Sequence, residues 1–311
     1  MNNLAVILGP TGVGKTQLCL TLAGLFGSPI ISADSKQMYE GIELGTAAPT
    51  REERERVKHY FVGNLQLEDY YSAAMYEEQA LSLISELFRS HDTLIVTGGS
   101  MMYIDALCYG IDMIPTVTED IRSQVLQRYR DEGLDSMTKE LKLLDPEYWK
   151  QVDIRNPKRV LHALEICYMT GRPYSSFRTG KRAERPFNII RIGLTRPREE
   201  LYSRIGLRVD RMIEAGLVED ARRLYPKRHL NSLNTVGYKE LFSWMDGETD
   251  PQGKPWTLES AISRIKQDTR IYSRKQMTWF KRDTATRWFN PDDTQAIIDY
   301  IKERSDADKT V

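Results

Sequence analysis

Eight residues near the amino terminus, Gly9-Pro10-Thr11-Gly12-Val13-Gly14-Lys15-Thr16, leave little freedom in the choice of fold. They fit the pattern G-x-x-x-x-G-K-S/T. They lie between a short apolar run, Leu4 to Leu8, and a stretch that reads as a helix, Gly14 to Phe26, with Leu18, Leu20, Leu22, Ala23 and Leu25 at its apolar positions. A strand, a glycine-rich turn and a helix in that order make a phosphate cradle. The glycines let backbone N–H groups turn inward, and the helix start adds partial positive charge. In such a loop Lys15 neutralises an outer phosphate and the Thr16 hydroxyl holds a Mg²⁺ ion that bridges phosphate oxygens.

Further apolar runs predict strands at Pro29 to Ser32, Thr93 to Thr97 and Asn188 to Thr195, and the periodicity of Glu77 to Phe88 predicts an amphipathic helix. Strands alternating with helices indicate an α/β fold, a P-loop NTPase-like parallel sheet flanked by helices. From Asp112 to Pro186 the strand pattern stops and helices are predicted at Glu119 to Glu132, Asp135 to Leu144 and Pro157 to Met169. Strand-like sequence then resumes. The expected organisation is therefore a core of residues 1–111 and 187–311 with a helical insertion domain at 112–186. The chain reads as helical from Arg198 onward, apart from a Pro/Gly-rich break around Asp246 to Pro255. At 311 residues it is long enough to bury one core plus a smaller domain.

The loop specifies a polyphosphate and no reaction. Phosphoryl-transfer enzymes of this class place a Mg²⁺-binding Asp at the end of a second apolar strand. Here Leu94-Ile-Val-Thr-Gly-Gly99 ends in glycines, and the acidic strand end is Asp34, in Ile30-Ile-Ser-Ala-Asp34. Ligands of open α/β sheets bind just past the carboxyl ends of strands, which suits Asp34 as a general base facing the loop. A helix N-cap or a Mg²⁺ ligand is the other reading of an Asp-Ser pair.

Gly9 to Thr16, Ser32-Ala-Asp-Ser-Lys-Gln37, Gly45-Thr-Ala-Ala-Pro49, His59-Tyr60, Gly98-Gly-Ser-Met-Met-Tyr103, Val236-Gly-Tyr-Lys-Glu240 and Arg274-Lys-Gln-Met-Thr-Trp-Phe-Lys281 occur in one order. This ordered set resembles that of the bacterial tRNA dimethylallyltransferases and runs from Leu4 to about Trp288. The resemblance implies transfer of dimethylallyl from dimethylallyl diphosphate to N6 of the adenosine 3′ of the anticodon, so that the loop holds a leaving group. It implies that Asp34 takes a proton from N6, that Ser35 and Gln37 help hold a flipped base, and that Ser100 stands where a family Thr supports the Asp. It also implies an arginine on the diphosphate, Arg208 or Arg204. By the same likeness tRNA is contacted by Asp34, Ser35, Lys36, Gln37, Ser100, Arg122, Arg155, Asn156, Pro157, Lys158, Arg159, Val236, Gly237, Tyr238, Lys239, Arg274, Lys275 and Gln276. Two departures are Ala48 in place of a common Lys, and Arg155-Asn156 in place of Asn-Asp.

Net charge is zero, which by itself argues against a nucleic-acid partner. Yet two stretches are cationic. One holds Arg155, Lys158, Arg159, Arg172, Arg178, Lys181, Arg182 and Arg185. The other holds Arg264, Lys266, Arg270, Arg274, Lys275, Lys281 and Arg282, interleaved with Tyr272, Trp279 and Phe280. Basic groups track phosphates and aromatics stack on unpaired bases, while a solvated helix face is the plainer alternative. Arg204 and Arg208 fall on one helix face, as a diphosphate clamp or as exposed solubilisers. His59 is either a stacking group or a loop histidine. Three separated cysteines suggest reduced thiols, and the first apolar run ends after five residues, so a soluble, cytoplasmic monomer without a membrane span or signal peptide is expected. A small-molecule kinase and an adenylate isopentenyltransferase remain as alternatives on the same fold.

Overall fold

The computed structural model describes residues 1–249 and 253–307. The chain separates into two compact units, Met1–Tyr109 with Glu184–Val311, and Gly110–Ala183.

Among the described residues the first unit holds six strands in one parallel sheet: β1 Asn3–Leu8, β2 Ile30–Ser32, β3 His59–Tyr60, β4 Thr93–Gly98, β5 Asn188–Leu194 and β6 Arg287–Phe289, in the order β3-β2-β4-β1-β5-β6. The helices are α1 Lys15–Phe26, α2 Glu43–Thr46, α3 Arg51–Arg56, α4 Ala73–Leu87, α5 Met101–Tyr109, α6 Glu119–Leu144, α7 Pro146–Gln151, α8 Pro157–Thr170, α9 Arg198–Glu214, α10 Leu217–Leu224, α11 Tyr238–Met245, α12 Leu258–Phe280 and α13 Thr294–Ala307. None of them is long and apolar enough to cross a membrane.

β1 is central, with Leu4 opposite Leu94 on one side and Ile189 on the other, so both its faces are buried and its sequence is a continuous apolar run. Ala5 and Ile7 pack with Leu18 and Leu22 of α1, Ile205 of α9 and Ile297 of α13. Leu4, Val6 and Leu8 pack with Ala80 and Ile84 of α4, Ile104 and Leu107 of α5 and Phe280 of α12. A third cluster, with Val209, Leu217, Leu233, Tyr238, Leu241 and Ile265, joins α9 to α12 and reaches Tyr39 and Ile42. Those two residues follow β2, so this cluster carries the helices toward the strand ends.

Two strands differ from the sequence expectation. β3 and β6 are two and three residues long and incompletely buried, too short and too polar to leave a periodic signal. The break expected around Asp246 to Pro255 includes residues 250–252, which lie outside the described residues.

The second unit packs around its own core, which includes Val125, Met137, Leu141, Val160, Leu164 and Tyr174. The two helices expected on either side of Gly133 form one run, α6, interrupted where Gly133 adopts φ 78° and ψ 172°. The unit ends at Ala183, three residues before the expected boundary. Arg185 explains the difference. Its guanidinium donates to the carbonyls of Leu107 and Ala106 and pairs with Glu77 at 2.6 Å, which anchors the segment to the sheet unit.

Candidate active site

The phosphate loop spans the end of β1 and the start of α1. Gly9 and Pro10 are buried, and the Val13 side chain is fixed in the core against the sheet. Gly14 caps α1 at φ 113°, a left-handed conformation that a side chain would strain. The Lys15 ammonium arches over the loop and donates to the carbonyls of Gly9 at 2.9 Å and Pro10 at 3.0 Å. Burial, aided by the nearby Arg208 charge, pushes Lys15 down to about 8, against the attraction of Asp34. Thr16 stands at the cavity wall. Arg204 of α9 donates to the Gly12 carbonyl at 2.9 Å, and Arg196 donates to that of Val13 at 2.9 Å.

Asp34 lies two residues past β2. The residues after it form a turn and not a helix, so Asp34 is no helix N-cap; its carboxylate accepts the Lys36 N–H at 3.1 Å. The position of this turn is set from β4. Gly98 lies so close to Ala33 that a Cβ there would sit 2.1 Å from the Ala33 carbonyl oxygen. The Ser100 N–H then donates to that carbonyl at 3.1 Å. The Ser100 hydroxyl accepts the Ser35 N–H at 2.7 Å and donates to the Ser35 hydroxyl at 3.0 Å. Ser100 therefore holds the backbone that carries Asp34, and its hydroxyl bonds to Ser35 and not to the carboxylate.

Lys36 and Gln37 spend their polar ends inside the protein. The Lys36 ammonium donates to the carbonyls of Asn231 at 2.7 Å and Ser232 at 3.1 Å, and burial pushes it down to about 8. The Gln37 amide donates to the Ala47 carbonyl at 3.1 Å. Arg208 of α9 donates to the Thr46 carbonyl at 3.3 Å; burial pulls its pKa down while Asp34 holds it up.

One cavity of about 1140 Å³ collects these groups. Thr11, Gly12, Gly14, Lys15 and Thr16 line it from the loop, Asp34 to Gln37 and Ser100 from the strand ends, Arg204 and Arg208 from α9, and Val236, Lys239 and Gln276 from the far side. The sequence reading overlooked Arg211, which also lines it; the spacing 204, 208, 211 on one helix face was the available signal. It also missed Leu207 and Met212, an apolar strip that looks like ordinary helix patterning.

Other expected contacts stand elsewhere. The Tyr238 side chain is fully buried, stacks on Phe242 and donates its hydroxyl to Asp220, so it is a core group and not an exposed RNA contact. Gly237 caps α11, where its N–H donates to Glu240. Arg274 and Lys275 are exposed on α12 outside the cavity lining. In the second unit Asn156 caps α8 by accepting the Arg159 N–H at 3.3 Å, with Pro157 in its first turn; Arg155, Lys158 and Arg159 are exposed and Arg122 is partly so. Arg185, counted among the cations of that stretch, is buried against Glu77. The C-terminal cations are partly neutralised, since Arg264 pairs with Asp268, Lys266 with Asp210 and Arg282 with Asp105. His59 is a part-buried group of edge strand β3, with Nδ1 2.7 Å from the Val57 carbonyl.

Among the described residues no three His, Cys, Asp or Glu side chains group so as to hold a metal. The oxygen donors that line the cavity include the Thr16 hydroxyl and the Asp34 carboxylate. That set fits Mg²⁺, which keeps its waters and binds chiefly through phosphate oxygens of a ligand.

A phosphate loop at the end of the central strand of a parallel sheet, faced by a carboxylate that follows β2, two strands away, defines a P-loop α/β protein. Within that class, the chain belongs to the IPP transferase family, which matches residues 37–283. It is 62% identical over 300 residues to tRNA dimethylallyltransferase 1 of Phocaeicola vulgatus, covering 96% of this chain and 98% of that protein. It is 45% identical to the tRNA dimethylallyltransferase of Christiangramia forsetii, covering 97% and 98%. The fold matches the crystal structure of the tRNA isopentenylpyrophosphate transferase of Bacillus halodurans with a TM-score of 0.70 at 30% identity, over 99% of this chain and 100% of that one. A eukaryotic dimethylallyltransferase acting on tRNA matches with a TM-score of 0.73 at 26% identity, over 90% of this chain and 70% of that one.

Proposed function

We propose that this chain is a tRNA dimethylallyltransferase. It moves the dimethylallyl group of dimethylallyl diphosphate to N6 of the adenosine on the 3′ side of the anticodon and releases pyrophosphate. The observation that carries this reading is the shared cavity in which Lys15 and Arg208 stand with Asp34. A kinase of this class carries a Mg²⁺-binding Asp after a second apolar strand, whereas β4 ends in Gly98 and the carboxylate follows β2, where it suits attack by a weak amine.

The chemistry follows from the charges. The allylic C–O bond breaks and negative charge collects on the diphosphate, where it is stabilised by the loop N–H groups, Lys15 and Arg208. Lys15 has only to release the carbonyls of Gly9 and Pro10 and turn its ammonium toward the phosphates. The N6 lone pair forms the new C–N bond, and the amine proton passes to the Asp34 carboxylate. The Thr16 hydroxyl would help hold Mg²⁺, which would supply charge neutralisation when bound. The adenine enters a cavity below the level of an RNA surface, which requires the nucleotide to be splayed from its loop. The exposed cations Arg274 and Lys275, with Arg155, Lys158 and Arg159 of the second unit, supply phosphate contacts to the anticodon stem-loop.

The test is a transfer assay with dimethylallyl diphosphate, Mg²⁺ and tRNA bearing adenosine 3′ of the anticodon, read by nucleoside mass spectrometry. The expected result is prenylated adenosine in tRNA and none with AMP, with a rate about 10²–10⁴-fold lower in Asp34→Asn. Product with AMP, or phosphate transfer from ATP, overturns the reading in favour of a nucleotide prenyltransferase or a kinase.

A further inference from the structure

Gln276 lies on α12, 1% exposed, and its two amide ends are used on two different loops. Its Oε1 accepts the N–H of Thr11, inside the phosphate loop, at 2.9 Å. Its Nε2 donates to the carbonyl of Gly99 at 2.9 Å. The next residue is Ser100, whose hydroxyl fixes the Ser35 N–H beside Asp34. Hydrogen bonds joined through the Gly99–Ser100 and Asp34–Ser35 peptide links thus lead from the leaving-group cradle to the residue that carries the base. The space is built for it: a Cβ on Gly99 would stand 2.6 Å from Gln276 Nε2.

We propose that Gln276 is a positioning residue of the transfer reaction, one that sets the separation between the phosphate loop and Asp34 without touching substrate. A glutamine is suited to the task because one end accepts while the other donates, and the partners here are a backbone donor and a backbone acceptor. With both bonds made the side chain is 1% exposed and presents little surface to RNA. The position therefore acts on the rate of the chemical step, and the RNA contacts of α12 fall to its exposed neighbours Arg274 and Lys275.

This inference rests on the transfer reaction proposed above, and its test separates the two. Full-length Gln276→Leu and Gln276→Glu are compared with the wild type for the affinity of inorganic pyrophosphate with Mg²⁺, for kcat and KM on tRNA, and for rate against pH, with folding checked by circular dichroism. Gln276→Leu loses both bonds, and kcat is expected to fall on the order of 10²-fold while the tRNA KM changes less than about threefold. Pyrophosphate affinity is expected to fall about tenfold, because the loop amide loses its anchor.

Gln276→Glu supplies the rescue. Its protonated carboxyl accepts from Thr11 and donates to Gly99, whereas the ionised form still accepts from Thr11 but cannot donate to the Gly99 carbonyl. Its rate relative to wild type should therefore be highest at low pH and fall as pH rises, while the Gln276→Leu ratio stays flat. A tenfold rise in tRNA KM with kcat and pyrophosphate affinity unchanged makes Gln276 an RNA contact and overturns the inference. Losses that track the folded fraction, with a flat Gln276→Glu ratio, make it purely structural and overturn it equally. Should wild type transfer nothing to tRNA, the proposed function fails and pyrophosphate affinity alone decides for or against Gln276.

Discussion

Replacing Gly98 by alanine adds one methyl group where β4 meets the chain leaving β2. The new Cβ would lie 2.1 Å from the Ala33 carbonyl oxygen and 2.4 Å from its carbon, when ordinary contact begins at 3.4 Å. Both atoms are backbone, so no side chain can swing aside, and the two segments must part by about 1 Å. Two bonds hold them together, Ala33 N–H to the Thr97 carbonyl at 2.7 Å and Ser100 N–H to the Ala33 carbonyl at 3.1 Å, and Asp34 is the next residue. Overpacking of this kind costs about 1–3 kcal/mol of stability. A displacement of about 1 Å at a reacting group lowers kcat on the order of 10²-fold. Urea unfolding reads the first effect, and transfer kinetics at a temperature where the variant stays folded read the second. Gly24→Ala is the matched control. A Cβ there meets nothing within 4 Å, and helix α1 should gain about 0.5–1 kcal/mol with kcat unchanged. A Gly98→Ala enzyme that loses stability but keeps kcat within about threefold would refute the argument that this approach places Asp34.

Lys15 is charged below about 8 in the free protein, and a bound diphosphate restores its ordinary pKa. Binding therefore takes up a proton above that value, and the affinity for a thiolo analogue of the donor should be flat from pH 7 to 8 and then weaken by up to about tenfold per pH unit; calorimetry giving constant affinity to pH 9.5 contradicts this. Arg208 shares the field of Asp34 and Lys15, whereas Arg204 is exposed and bonded to Gly12, so Arg208→Ala should lower kcat/KM for the donor about tenfold more than Arg204→Ala. Steady-state kinetics giving the reverse order would assign the clamp to Arg204. Arg185→Ala removes the 2.6 Å ion pair to Glu77 and the donors to two carbonyls, so it should destabilise by about 3 kcal/mol in urea unfolding while leaving the salt dependence of tRNA binding unchanged. A changed salt slope would return Arg185 to the RNA-contacting groups.

The phosphate loop was legible because its chemistry is local: a run of eight residues contains the turn, the cation and the hydroxyl. The central strands were legible because burial on both faces imposes a continuous apolar run, as in Leu4 to Leu8. Charge patterns were read less well. Arg185 and Arg264 look alike in sequence as members of basic stretches, yet one is buried against Glu77 and the other pairs with Asp268 on the helix surface. Tyr238 belongs to a conspicuous motif and is a core group, because its ring stacks on Phe242 beneath α11.

By itself, then, the sequence determined that a glycine-rich loop of phosphate-binding pattern ends a parallel strand, and that a carboxylate follows the next strand. It also marked Ser100 and the α12 segment as parts of one site by resemblance. What only the tertiary structure decided is how these parts are held. Gly98 meets Ala33, Ser100 meets Ser35, and Gln276 bridges Thr11 and Gly99 across separations of 265 and 177 residues. Such contacts depend on distances fixed by the packing of whole elements, and no local pattern of residue types encodes them.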